Sequence, residues 1–285
     1  MQTLLEIRNK TTEYFKKCDV PDPRFDAELI LAHCLGMTRM QLYLNFDRPL
    51  QDIELDRMRP MVARRGKREP LQYIIGSTSF RGIEIQCDTR ALIPRPETEV
   101  LVEHALQLLQ GIENPHVLDV GTGTGAIAIS IASSIPSAKV TAIDISLPAL
   151  DLARVNIDNH HLQKQITLLH SDLLSNVPTD ERFHMIISNP PYIPDRLKGT
   201  LQQEVEAFEP EMALFAASEG LAVALNLIHQ SEKHLLSSGF LIMELGEGHC
   251  EALTSQVFPL QYQESRIDLQ GVKRYPIFIH DKVVD

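Results

Sequence analysis

Two consecutive prolines, Pro190 and Pro191, follow the compact apolar run Phe183-His184-Met185-Ile186-Ile187, and this junction constrains the fold more than any other stretch of the chain. The run has the length and β-branching of a buried strand. Neither proline has an N–H to give to a ladder, so a central strand cannot pass through them. The chain is therefore expected to leave its sheet at Asn189, with a rigid turn behind it and Tyr192 just beyond. Such a turn holds the Asn189 carboxamide and the Pro190 carbonyl at the carboxyl end of a strand. In open α/β sheets that is where ligands bind.

Two oxygens held there can accept both hydrogens of a planar –NH2 group, and Tyr192 offers a ring face to stack on it. The nitrogen of an amide or an aromatic amine is a poor nucleophile because its lone pair is delocalised. Fixing both N–H bonds aims that nitrogen and favours the pyramidal form it takes during attack. The plain alternative is a strand that ends in a proline-rich turn, with Asn for turn chemistry.

From His116 onward the pattern alternates strand and helix, as in a doubly wound sheet. Strands are expected at His116–Val120, Lys139–Ile143, Ile166–His170, Phe183–Ile187 and Gly239–Leu245. Helices are expected at Ala126–Ser134, Pro148–Asn159 and Gly220–Leu236, and an earlier one at Glu97–Gln110. The end of the chain reads as an antiparallel hairpin, Tyr262–Asp268 and Tyr275–His280, around Leu269-Gln270-Gly271.

The first 70 residues read as helices instead. One carries Leu4, Ile7 and Phe15; a second opens at Asp22-Pro23 and stops at Gly36; a third runs from Asp52 to Gly66. A basic run, Arg57 to Arg68, is expected to be a solvated helix face, the alternative being a docking surface for an acidic partner. Thr78 to Ile85 reads as a hairpin turning at Arg81-Gly82 and joining the two domains.

At 285 residues there is room for two domains, and 44% hydrophobic with 23% charged residues is ordinary globular composition. Residues 1–75 hold 13 Lys and Arg against 11 Asp and Glu, a charge of +2; the remainder holds 14 against 27, a charge of −13. So acidic a second part argues against phosphate-backbone binding as the main source of affinity. The start has no signal pattern, and the longest apolar-rich run, Ala126 to Ile135, is too short to cross a bilayer. Cys18, Cys34, Cys87 and Cys250 have no metal-ligand spacing and read as reduced thiols of a cytoplasmic protein.

The strand His116–Val120 runs into Gly121-Thr122-Gly123-Thr124-Gly125 and then a helix. Glycines here allow positive φ and bring a ligand close to backbone at a helix N-terminus. The same spacing satisfies the dinucleotide fingerprint, so NAD and FAD compete with S-adenosylmethionine at this point. Asp144 ends the next strand, placed to accept from a ribose diol in either case, and Asp172-Leu173 follow the third strand, where they can flank an adenine. Asn189-Pro190-Pro191-Tyr192 breaks the tie. A hydride-transfer enzyme has no need of an –NH2 clamp beside its cofactor, whereas an N-methyltransferase does.

With Glu69-Pro70-Leu71-Gln72-Tyr73, Phe80-Arg81-Gly82, Ile93-Pro94-Arg95-Pro96-Glu97-Thr98-Glu99, the glycine loop, Asn189-Pro190-Pro191-Tyr192, Phe208-Glu209-Pro210 and Asp268-Leu269-Gln270-Gly271, the chain resembles the bacterial protein-(glutamine-N5) methyltransferases of the PrmC/HemK family. The resemblance implies an α/β fold: a seven-stranded, Rossmann-like class I S-adenosylmethionine-dependent methyltransferase domain at 91–285. A small helical substrate-docking domain at 1–75 and a β-hairpin linker at 76–90 would precede it. It further implies S-adenosylmethionine held by Gly121, Thr122, Gly123, Thr124, Gly125, Asp144, Asp172, Leu173 and the edge of Asn189. Asn189, Pro190, Pro191 and Tyr192 would hold the acceptor, with Asn189 and Pro190 as the catalytic pair. The acceptor it implies is the glutamine of the Gly-Gly-Gln loop of peptide-chain release factors, with no nucleic-acid substrate and no membrane. The competing functions are a DNA or RNA adenine N6-methyltransferase, whose acceptor is also a planar –NH2, and a noncatalytic nucleotide-binding adaptor. Two stretches depart from the family pattern. Phe215-Ala216-Ala217-Ser218-Glu219-Gly220-Leu221 stands where Gly-Gly-x-Asp-Gly-Leu is common, and Leu173 stands where an aromatic is frequent.

Overall fold

The computed structural model describes residues 2–280; residue 1 and residues 281–285, the outer ends of the two expected domains, lie outside it. The chain divides into two compact units. The first comprises the residues up to Ser77 together with Leu201–Phe208, and the second Thr78–Thr200 and the chain from Glu209 onward.

The first unit is helical: α1 (Leu4–Lys17), α2 (Pro23–Leu35), α3 (Arg39–Leu44), α4 (Asp52–Gly66) and α5 (Leu71–Ile75). Each boundary has a local cause. Thr3 and Glu6 form a capping box on α1, and Gly36 ends α2 in the left-handed region at φ 61°. Leu4, Phe15, Ile30, Leu31 and Leu42 are fully buried together. The basic run does not form a solvated face throughout. Arg65 is only 5% exposed, and its guanidinium donates to Asp26 Oδ2 at 2.6 Å and to Glu204 Oε1 at 3.0 Å. Arg68 donates to both oxygens of Glu204 at 2.6 Å. Arg64 pairs with Glu69 and Arg59 with Asp56. A buried carboxylate draws the arginines inward, because a charge removed from water must be paired.

The second unit opens within β1 (Ser77–Phe80), which forms a hairpin with β2 (Ile83–Gln86); both turn residues take positive φ (Arg81 50°, Gly82 76°), as a two-residue turn of matching twist requires. Then come α6 (Pro96–Leu108), β3 (His116–Val120), α7 (Ala126–Ser134), β4 (Lys139–Asp144), α8 (Leu147–Asn159), β5 (Ile166–His170), β6 (Phe183–Ser188) and β7 (Ile193–Pro194). The short α9 (Gln203–Phe208) belongs to the first unit. The chain closes with β8 (Phe215–Ala216), α10 (Ala222–Ser231), β9 (Leu235–Met243), α11 (His249–Thr254), β10 (Gln261–Ile267) and β11 (Lys273–Ile279). The strand expected to begin at Gly239 begins at Leu235, because α10 ends at Ser231 in a single 3-10 turn.

Seven strands form one sheet in the order β10-β11-β9-β6-β3-β4-β5. All neighbouring pairs from β9 to β5 are parallel, and β11 is antiparallel to both β9 and β10. Successive connections diverge between β3 and β6, which makes that gap the switch point where a ligand crevice opens. No helix among the described residues is long and apolar enough to cross a membrane.

Candidate active site

Strand register sets the site. Val120 pairs with both Ile143 and Ser188, Asp144 with His170, and Ser188 with Met243. The residues at or just past these ends, Gly121, Asp144, Ser171, Asn189 and Glu244, therefore form one row along the carboxyl edge of the sheet. A cavity of about 490 Å³ opens above it.

Its first wall is backbone. Gly121, Gly123 and Gly125 all sit at positive φ (72°, 55° and 83°), where a side chain is strained. The amides of Gly121 and Thr122 both donate to Ile143 O at 2.9 Å. Asp144 accepts the Gly123 amide at 2.9 Å through one oxygen and the Ser146 amide at 2.9 Å through the other. Burial pushes its carboxyl above the ordinary value, against the pull of those amides. Beneath the loop Asp119 is fully buried and accepts from Thr122 Oγ1 at 2.7 Å; burial pushes it up to about 7. Asn156, also fully buried, donates to Thr124 O at 2.9 Å and Gln86 O at 3.1 Å, tying the loop to β2. At the next corner Leu173 takes φ 46°, and the Ser171 hydroxyl donates to its carbonyl at 2.6 Å.

The opposite wall is made of side chains. Asn189 Nδ2 donates to Thr98 Oγ1 at 2.9 Å, and Thr98 Oγ1 donates to Glu244 Oε2 at 2.7 Å. Glu244 is 1% exposed; burial pushes it up to about 7, with Glu97 adding to the rise and Thr98 and Arg274 opposing it. The Tyr192 hydroxyl lies 3.5 Å from Glu244 Oε1, a long contact rather than a strong hydrogen bond. Glu209 is buried, accepts the Ile93 amide at 3.2 Å and pairs with Arg95. Two stretches that look unrelated in sequence thus meet in one side of the cavity.

Of the residues singled out from the sequence, Gly121, Thr122, Gly123, Thr124, Asp144, Asp172, Leu173, Asn189, Pro190 and Pro191 line this cavity together. Gly125 and Tyr192 are not among the lining. Gly125 caps α7, and a Cβ there would stand 3.3 Å from that of Ala153. The Tyr192 ring packs against the core cluster and stands edge-on to His249 at 6.5 Å. Tyr192 is half-buried and directly precedes β7, which pairs with β8.

Residues 6–76 match the family described as the PrmC N-terminal domain, and residues 96–206 the methyltransferase small domain. A release factor glutamine methyltransferase of Rhodopirellula baltica is 41% identical over 247 residues, which cover 85% of this chain and 83% of that protein. One from Deinococcus radiodurans is 37% identical over 273 residues, covering 95% and 96%. The chain belongs to the release factor glutamine methyltransferase family. Among solved structures, a protein-(glutamine-N5) methyltransferase (release factor-specific) from Alicyclobacillus acidocaldarius is 25% identical, covering 66% of this chain and 94% of that one at a TM-score of 0.42.

The Ala216–Glu219 departure, with the Gly220 that follows it, has a visible backbone form. Ser218, Glu219 and Gly220 take positive φ in succession (55°, 54° and 86°). A Cβ on Gly220 would stand 2.0 Å from the Tyr192 carbonyl oxygen, so only glycine fits against the end of the Asn189–Tyr192 turn. Sequence reasoning missed Thr98, Glu209 and Glu244 as parts of the site. Thr98 and Glu209 lie inside stretches that carry the family resemblance, and Glu244 sits at the carboxyl end of an expected strand.

Proposed function

We propose that this chain is a cytoplasmic enzyme that transfers a methyl group from S-adenosylmethionine to the side-chain amide nitrogen of the glutamine in the Gly-Gly-Gln loop of peptide-chain release factors. The observation that supports it most is the register of β3 with β6, which sets a glycine loop and an –NH2-accepting Asn-Pro pair at adjacent strand ends. The donor set fits the methyl donor. Asp144 keeps acceptor capacity for the ribose hydroxyls, Leu173 and Ile145 offer apolar surface for the adenine, and Arg90 and Arg95 are already paired with Asp88 and Glu209. A pyrophosphate would want a free cation there.

When bound, S-adenosylmethionine supplies an electrophilic methyl group with a good leaving sulfur. The chain's own residues position the nucleophile. Asn189 Oδ1 and the Pro190 carbonyl accept the two amide hydrogens, which directs the nitrogen lone pair at the methyl. Pro191 keeps the turn rigid. No general base is assigned: the nitrogen sheds its proton to water once it carries charge. Catalysis is by positioning and fixed acceptors.

We assign partner docking to the helical unit, where Met40 and Leu44 are 70% and 75% exposed. Its role is better tested by surface substitutions there than by deleting residues 1–75, because deletion strips Glu204 of Arg65 and Arg68.

Incubation with labelled methyl donor should place label on a release factor and none on its Gly-Gly-Ala variant. DNA and RNA should take up none even at low salt, where phosphate attraction is strongest. Label in adenine instead would replace this reading with the nucleic-acid one.

A further inference from the structure

We propose that Thr98 and Glu244 are positioning residues that fix the polarity of the Asn189 carboxamide, so that its oxygen and not its NH2 group faces the acceptor amide. The inference rests on the acceptor role given to Asn189 above. An asparagine side chain has two nearly isosteric ends with opposite hydrogen-bonding character, and only its surroundings decide which end points where. Presented nitrogen first, it would offer donors to a substrate –NH2 that needs acceptors.

The surroundings here are one-directional. Glu244 Oε2 lies 2.7 Å from Thr98 Oγ1 and accepts its only proton. Above its titration near 7 the carboxylate carries no proton and can only accept, so the relay then runs in this one direction. With its proton committed, the Thr98 hydroxyl can only accept from Asn189, at 2.9 Å, so the amide must turn its nitrogen to Thr98. Oδ1 accepts from no described residue and is the end left for substrate. The relay is rigid at each step. Thr98 is 5% exposed on α6, and Glu244 is held by its own amide, which donates to Ser188 O at 2.9 Å beside the acceptor motif.

An imposed polarity has consequences that packing alone does not. Thr98→Val removes the anchor and lets the amide sample both orientations, so kcat should fall ~10-fold with donor affinity within about threefold. Thr98→Ser keeps the hydroxyl and should restore wild-type turnover. Glu244→Leu leaves the hydroxyl free to donate to Asn189 Oδ1, which favours the wrong orientation, so kcat should fall further, by ~10². Removing the hydroxyl as well, in Thr98→Val with Glu244→Leu, should raise turnover back towards the Thr98→Val rate, a gain where independent effects would multiply.

The experiment is single-turnover methyl transfer to a Gly-Gly-Gln protein, with calorimetric titration of the donor as the check on folding. In an Asn189→Ala background Thr98→Val should cost nothing more. Wild-type turnover by Asn189→Ala itself would overturn the acceptor role. A slow Asn189→Ala beside a full-rate Thr98→Val, or multiplying losses in the Thr98 and Glu244 double variant, would overturn the relay and leave the acceptor role standing. Should Glu244→Leu fail to bind donor, the Asn189→Ala background decides: no further loss from Thr98→Val there supports the relay, and a further ~10-fold loss overturns it.

Discussion

The glycine-loop side of the cavity presents backbone, held by a neighbouring carbonyl and by the side chains of Asp144 and Asn156, whereas the Asn189 side presents side chains tied to distant segments. On the first side the loop amides close onto Ile143 O and Asp144 within two adjacent strands. On the second, Asn189 depends on Thr98, 91 residues away, and Thr98 on Glu244, 146 residues away. The difference follows the tasks assigned to them. A cofactor that is the same in every turnover suits a fixed cradle. Aiming an incoming amide needs one side chain of defined polarity, and polarity has to be imposed by neighbours. Substitutions on the two sides should therefore separate binding from turnover.

Asn189→Ala should produce the largest effect. Losing one of two acceptors frees the nitrogen to rotate, and turnover should fall by at least ~10². Donor affinity should stay within several-fold, since the carboxamide reaches only the edge of that pocket. A matching fall in donor affinity would erase the distinction between the walls.

Asp144→Ala should do the reverse, weakening donor binding by roughly 1.5–3 kcal/mol through loss of a charged acceptor. Because Asp144 also holds the Gly123 and Ser146 amides, the variant should show faster hydrogen exchange at both. Calorimetry with unchanged affinity would remove Asp144 as the ribose ligand.

How far each wall was legible in the sequence follows the same division. The glycine loop, Asp144 and the Asn-Pro-Pro turn are local signals, each written within a few residues of a strand end, so a strand-by-strand reading finds them. Thr98, Glu209 and Glu244 act through partners more than ninety residues away, which no local pattern encodes. The same limit explains α9. Reading 91–285 as one continuous domain misses that Glu204 returns to the helical unit, because the cause is an ion pair with Arg65 and Arg68 from the other end of the chain. It also explains the basic run, where charge density suggested solvent and burial of two carboxylates drew Arg65 inward.

Gly220→Ala sharpens the comparison at the acceptor side's outer edge. The position combines φ 86° with a backbone oxygen where a Cβ would go, so the variant should lose roughly 1–3 kcal/mol of stability. Turnover should suffer more than donor binding, because the displaced neighbour is Tyr192 of the acceptor motif. Thermal unfolding with and without donor measures both.

The smallest effect concerns the proton on Glu244. Burial holds its carboxyl at about 7 in the native protein against an ordinary value of 4.5, with Glu97 raising and Arg274 lowering it. Between those values the unfolded chain has released the proton and the native protein has kept it. The native state then binds more protons than the unfolded one, and stability from this group falls as pH rises. Below about 4.5 both states are protonated and above about 7 both ionise, so the slope vanishes at either end. Glu244→Gln removes the titration and leaves every other group in place, including Asp119, whose shift has the same direction. Their contributions cancel in the difference between the two proteins. From pH 6 to pH 7 the wild type should lose about 1 kcal/mol relative to the variant. Paired denaturant titrations at pH 5, 6, 7 and 8 read this directly, and a difference independent of pH would mean that Glu244 is ionised throughout, its burial fully offset by Thr98 and Arg274.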